Sequence, residues 1–101
     1  MKCYYSVRLV VPAAIEEEWR QWMLREHIPA LAGLPWFSGA HLYKIESPAH
    51  DAVEYIVMYE PNSMEALDTY FKSDECTQLR AEFTQRYGNN VTISREIWLE
   101  Q

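Results

Sequence analysis

The chain has 101 residues, 49% of them hydrophobic and 14% aromatic, and carries a net charge of −6. This length and composition predict one domain, residues 1–101, with a thin core, and exclude a disordered segment. The nine Lys and Arg residues are scattered singly, with no basic stripe, so neither nucleic acid nor an anionic membrane surface is expected as a partner.

Cys3 and Cys76 form neither a CxxC pair nor a metal-ligand spacing, which predicts reduced thiols and a cytoplasmic protein. No run approaches the roughly 18 apolar residues of a membrane span. The start of the chain, MKCYYSVRLVVPAA, has a lysine and an apolar run, but Arg8 interrupts it and a strand fits the pattern equally well.

In chain order, residues 3–11 are rich in β-branched and aromatic side chains and read as a strand ending at Pro12. Residues 13–28 read as a helix, with Glu16, Glu17 and Glu18 in its first turn complementing the helix dipole. Ile15, Trp19, Trp22, Met23 and Glu26 share one face of it. Pro29 and Gly33 are expected to stop this helix at about His27. Residues 36–46 and 53–60 are strand candidates joined by a loop at 47–52 that contains His50. Asn62 and Glu65 have the spacing of a capping box, and Ser73 that of a fresh N-cap, so the second helix is expected in two pieces. Gly88 stands at its end, and residues 91–100 form the last strand. The order βαββαβ predicts an α+β, ferredoxin-like fold: an antiparallel four-stranded sheet with both helices on one face and a broken second helix.

Two helices leave one sheet face uncovered. If Tyr55, Val57 and Tyr59 pack under the helices, Tyr4, Val10, Ile56 and Met58 face away from them. An apolar face of that kind predicts a symmetric homodimer.

An ordered series of segments carries a resemblance: WxxWM at 19–23, HIP at 27–29, FSG at 37–39, YIVMYE at 55–60, SMEALDTY at 63–70 and LRAEFTQRYG at 79–88. Together they resemble a small bacterial family of unknown function in the dimeric α/β barrel superfamily. The resemblance covers nearly the whole chain. It implies a ferredoxin-like protomer and a dimer whose two sheets form a barrel. The wider superfamily includes cofactor-independent monooxygenases, isomerases, haem proteins and stress-response proteins. The family itself brings no assigned activity and no catalytic residues.

The residues do not fix a reaction. His27 is read either as a polar residue closing a helix, where the dipole would favour its imidazolium form, or as a base or ligand anchor in the gap between helix and sheet. His41 is the second candidate base. Trp22, His27, His41, Tyr43, Tyr55 and Arg95 are the candidate ligand-binding residues. If His41, Tyr43, Tyr55 and Arg95 face one gap, they make an aromatic pocket with a polar anchor for a small planar or acidic molecule. The bland alternative is that the tyrosines fill core and the arginines pair with Glu54 or Glu96 across strands. The three histidines have no HxH or HxxxH spacing and there is no glycine-rich phosphate loop, so neither a metal nor a cofactor is expected. Cys76 lies on an apolar helical stripe and reads as core. Three functions follow: a small soluble homodimer binding an aromatic or acidic metabolite; a cofactor-independent monooxygenase- or isomerase-like enzyme acting on an activated aromatic; or a protein–protein module with a filled interior.

Overall fold

The structure is a computed structural model that describes residues 2–46 and 51–101. His50 lies outside the described residues. The strands are β1 (Cys3–Pro12), β2 (Phe37–Ile45), β3 (Ala52–Pro61) and β4 (Thr92–Leu99). All pairings are antiparallel and the order is β2-β3-β1-β4, the ferredoxin-like arrangement. Among the described residues no helix is long and apolar enough to cross a membrane.

The first helical stretch has four parts: a 3-10 turn at Ala13–Ile15, α1 (Glu16–Trp22), a π-helical turn at Met23–His27 and α2 (Ile28–Ala32). The helix therefore continues past the expected stop at His27. Pro29 is accommodated at the start of α2, and the helix closes instead at Gly33, whose N–H donates to the Pro29 carbonyl at 2.9 Å. A Cβ at Gly33 would come 2.9 Å from that same oxygen, tighter than van der Waals contact allows.

The second helix is broken as expected, into α3 (Met64–Phe71) and α4 (Asp74–Tyr87). Ser73 caps α4 by accepting from the Cys76 N–H. The cap of α3 is Ser63, accepting from Ala66, one residue beyond the expected Asn62. Asn62 is committed elsewhere: its Nδ2 donates to the Pro35 carbonyl at 2.9 Å and its Oδ1 accepts from Ser38. It thereby ties the end of β3 to the start of β2.

The inner sheet face carries Tyr5, Val7, Leu9 and Val11 of β1 and Tyr55, Val57 and Tyr59 of β3, all buried. Trp19, Trp22, Met23, Leu31, Leu67, Tyr70, Cys76 and Phe83 pack down onto it from the helices. Fully burying aliphatic side chains such as Leu9 and Val57 contributes about 2 kcal/mol each. Tyr4, Val10, Ile56 and Met58 lie on the outer face, as the alternation predicts, and are half-buried there. Arg8 and Glu54 pair among them at 2.7 Å.

Candidate ligand-binding cavity

The π turn decides where His27 goes. The Ile28 N–H donates to the carbonyl of Met23, five residues back instead of four. In a regular α turn Pro29 would lack the N–H for the Arg25 carbonyl and press its ring against it. The wider turn takes up the proline without ending the helix. His27 therefore sits within a helical stretch, not at a helix end, and the end-closing role expected for it does not apply.

The imidazole lies nearly flat on Trp22, with ring centroids 5.0 Å apart and planes 27° from parallel. Phe83 closes over it at 5.5 Å. Nδ1 is buried with no hydrogen-bond partner among the described residues. Burial, and then the positive charge of Arg95, lower the pKa of His27 to about 4. The ring is neutral at pH 7, the reverse of the imidazolium expected at a helix C-terminus.

His27 lines a narrow cavity between the helices and the sheet that opens to solvent. Val7, Leu9 and Val57 form its floor, while Met23, Leu31 and Leu79 roof it. Tyr5, Tyr59, Tyr70 and Phe83 make aromatic walls. Burial raises the pKa of Tyr59 and of Tyr70, so both present neutral hydroxyls. Arg80 of α4 and Arg95 of β4 also line the space, and both continue into a shallower hollow outside it with Tyr5, Phe71, Glu96 and Ile97. Arg80 Nη2 donates to the Tyr5 hydroxyl at 3.3 Å and its guanidinium lies 5.8 Å from the Phe71 ring centroid. Arg95 stands opposite Val7 in the β1–β4 register, hence on the inner face. No carboxylate among the described residues lies within 4.0 Å of its guanidinium, whereas Arg8 has Glu54. The cavity thus joins apolar walls to one neutral imidazole and two cations.

Of the residues singled out in the sequence, His27 and Arg95 meet at this cavity. Trp22 stands behind His27 and supports it without lining the space. The grouping of His41, Tyr43, Tyr55 and Arg95 about one gap is not formed. His41 and Tyr43 pair with Met58 and Ile56 on the outer face of the sheet, because the bulge between Phe37 and Gly39 sets the parity of β2. His41 is 63% exposed and lies 3.7 Å from Glu60. Tyr55 is on the inner face but away from this cavity: it packs against Trp19 at 4.9 Å and donates to Glu16 Oε2 at 2.6 Å. Burial, and then that bond, push the Tyr55 hydroxyl up to about 12. Glu16 also meets Lys44 at 3.3 Å.

Tyr5, Tyr59, Tyr70 and Arg80 were not singled out for the site. A signal for Arg80 was present: it falls on the apolar stripe of α4 that carries Cys76, Leu79, Phe83 and Tyr87, where a charge needs a reason. Tyr5 and Tyr59 were placed by alternation but read as core. Among the described residues, no three His, Cys, Asp or Glu side chains gather to hold a metal ion.

Solved structures share this architecture. An ethyl tert-butyl ether d (ethd) family protein from Bacillus halodurans is 17% identical, with all of both chains covered and a TM-score of 0.71. SnoaB from Streptomyces nogalater, described as a cofactor-independent oxygenase, is 14% identical over all of this chain and 95% of its own, with a TM-score of 0.65. A de novo designed protein, Foldit4, is 11% identical over all of both chains, with a TM-score of 0.63. At such identities the likeness concerns the fold, and a designed protein among the matches underlines that fold and function are separable. No curated protein sequence matches the chain. The model of a domain of unknown function, DUF4286, matches residues 2–101, and the chain belongs to that family.

Proposed function

We propose that this protein binds a small planar aromatic or acidic molecule in the cavity between its helices and its sheet, and does so as a homodimer. One observation carries the reading: an aromatic-walled cavity is lined by an imidazole that makes no hydrogen bond among the described residues, and two exposed arginines, Arg80 and Arg95, stand at it. A few polar groups set in an apolar wall are what orient a small ligand. Arg95, joined by Arg80, supplies the positive charge for an anionic group. The second chain would cover the outer face, where Tyr4, Val10, Ile56 and Met58 lie beside the paired Arg8 and Glu54. Buried, free Cys3 and Cys76 are in keeping with a reducing cytoplasm.

Binding is favoured over turnover by the state of His27. A base with a pKa of about 4 has little drive to take a proton at neutral pH. The enzyme reading, a cofactor-independent oxidation or isomerisation of an activated aromatic, uses the same cavity with His27 as base. Its support is the fold shared with SnoaB and the imidazole of His27 in the cavity, His41 being outside it. An anion neutralising Arg95 would raise the imidazole toward the range that chemistry needs.

Native mass spectrometry of gently purified protein, followed by benzoate titration read by tryptophan fluorescence, tests the proposal. The expected result is a two-chain species that binds benzoate, with affinity lost in Arg95→Ala. A monomer, or benzoate binding indifferent to Arg95, overturns it.

A further inference from the structure

We propose that the cavity selects aromatic acids carrying a hydroxyl group as well as the anion: the acid group faces Arg95 and Arg80, and the hydroxyl donates to the His27 imidazole. The inference rests on the binding function proposed above and names the ligand class more narrowly.

The argument begins with what a neutral imidazole offers. One ring nitrogen is a donor and the other an acceptor. The ring is held by Trp22 on its face and by Phe83, both of which are contacts without a hydrogen bond. Nδ1 is sealed off as well as unpartnered, so Nε2 is the nitrogen a ligand reaches, and no hydrogen bond to either ring nitrogen occurs among the described residues. A ligand hydroxyl bonded to Nε2 in this apolar surround gains the net worth of one hydrogen bond. A carboxylate alone cannot satisfy the acceptor nitrogen, because it has no proton to give. A hydroxyl can.

The second point is the separation of roles around the cavity. The cations come from α4 and β4, and the imidazole from the π turn of the first helical stretch. The surfaces between them are the rings of Tyr5, Tyr59, Tyr70 and Phe83. A ligand that reaches both ends is therefore flat and apolar in its middle and polar at two places. Arg80 is already turned to the Tyr5 hydroxyl at 3.3 Å, which leaves Arg95 as the cation with the freer valence for the acid group.

The test uses benzoate and the three isomeric monohydroxybenzoates as probes on the whole protein. Affinity is read by tryptophan fluorescence and the His27 ring nitrogens by 15N NMR. At least one hydroxybenzoate is expected to bind roughly tenfold more tightly than benzoate, the worth of one net hydrogen bond. It should shift the His27 nitrogen signals where benzoate does not. In His27→Phe the ratio of hydroxybenzoate to benzoate affinity should fall to about one. If no hydroxybenzoate surpasses benzoate while Arg95→Ala still abolishes binding, the inference is wrong and the broader binding function stands. A preference that survives in His27→Phe also overturns it. If none of the four probes binds, the broader function fails with it. The comparison of probes on the unmodified protein decides the matter even where the variant does not fold.

Discussion

Trp22 carries His27 on one ring system and Arg86 on the same indole: the imidazole centroid lies 5.0 Å away and the guanidinium carbon 5.1 Å away. Packing, not hydrogen bonding, orients the imidazole. A charge on His27 would have to share this indole with Arg86 and face Arg95 as well. Burial, and then Arg95, favour the neutral ring. The π turn matters for the same reason, since it sets the angle at which His27 meets Trp22.

The first prediction concerns acid. The folded-state pKa of His27 is about 4, against an ordinary value of 6.5. Between those pH values the unfolded chain binds the extra proton and the folded one does not, so stability rises with pH across that window. The His27 contribution is complete above pH 6.5 and is lost progressively as pH falls toward 4, by at most about 3 kcal/mol. NMR titration should place the His27 midpoint near 4. Urea unfolding at several pH values should show a flatter profile for His27→Phe than for the parent. A His27 midpoint near 6.5 would count against the neutral, buried ring.

Tyr55→Phe isolates one hydrogen bond. The phenol donates to Glu16 Oε2 at 2.6 Å, and this bond is the main cause holding the Glu16 carboxyl below its ordinary pKa. Glu16 keeps Lys44 and some access to water after the change, so no buried charge is stranded. The expected loss is about 1 kcal/mol in urea unfolding, with an unchanged dependence on urea concentration. Glu16 should titrate at higher pH in the variant. Benzoate binding should not change, because Tyr55 is not part of the cavity.

Trp19 separates volume from polarity. It is fully buried, and its indole Nε1 has no partner among the described residues. Trp19→Ala should cost about 3–5 kcal/mol, from lost burial and the cavity left behind. Trp19→Phe should cost far less, about 1 kcal/mol, because it removes an unpaired donor along with part of the ring. Thermal or urea unfolding of both variants measures the difference. A loss in Trp19→Phe well above about 1 kcal/mol would mean that the indole N–H is satisfied after all.

The outer sheet face tests the dimer. Ile56 and Met58 sit on neighbouring outward positions of β3, one of the two central strands, which pairs with both β1 and β2. Ile56→Lys with Met58→Lys should convert a two-chain species to a single chain in sedimentation experiments, with circular dichroism unchanged. A parent protein that sediments as one chain, or a double variant that stays paired, excludes this face as the interface.

Local patterning made the element order legible. Alternation in CYYSVRLVV and VEYIVMYE depends only on the period of a strand, and it placed Tyr5, Val7, Leu9, Tyr55, Val57 and Tyr59 on one face correctly. Ser73 could be read as a cap because an N-cap is a local bond between a side chain and an N–H a few residues on. The Asn62 cap went to Ser63 because Asn62 meets Pro35 and Ser38, partners more than twenty residues away that compete for the same side chain. Pro29 is the plainest case. Proline in a regular α turn is a stop, but a turn widened by one residue removes the conflict, and nothing in HIPALAG signals that widening.

The site divides along the same line. Residue types and periodicity singled out His27, Trp22 and Arg95, since an imidazole, an indole and a guanidinium draw notice wherever they stand. The parity of β2 was beyond local reading, because its two faces are similar in character and the bulge after Phe37 sets which of them points inward. His41 and Tyr43 went outward for that reason. The sequence by itself thus determined which segments are strands and helices, which residues share a face of β1 and of β3, and the order that makes a ferredoxin-like sheet, because these follow from interactions a few residues long. Tertiary structure alone decided that His27 is neutral, that Arg95 and Arg80 come to the same opening, and that Tyr55 does not. Those outcomes depend on burial and on charges brought together from the π turn, α4 and β4, and the free energy of a charge depends on what surrounds it in space.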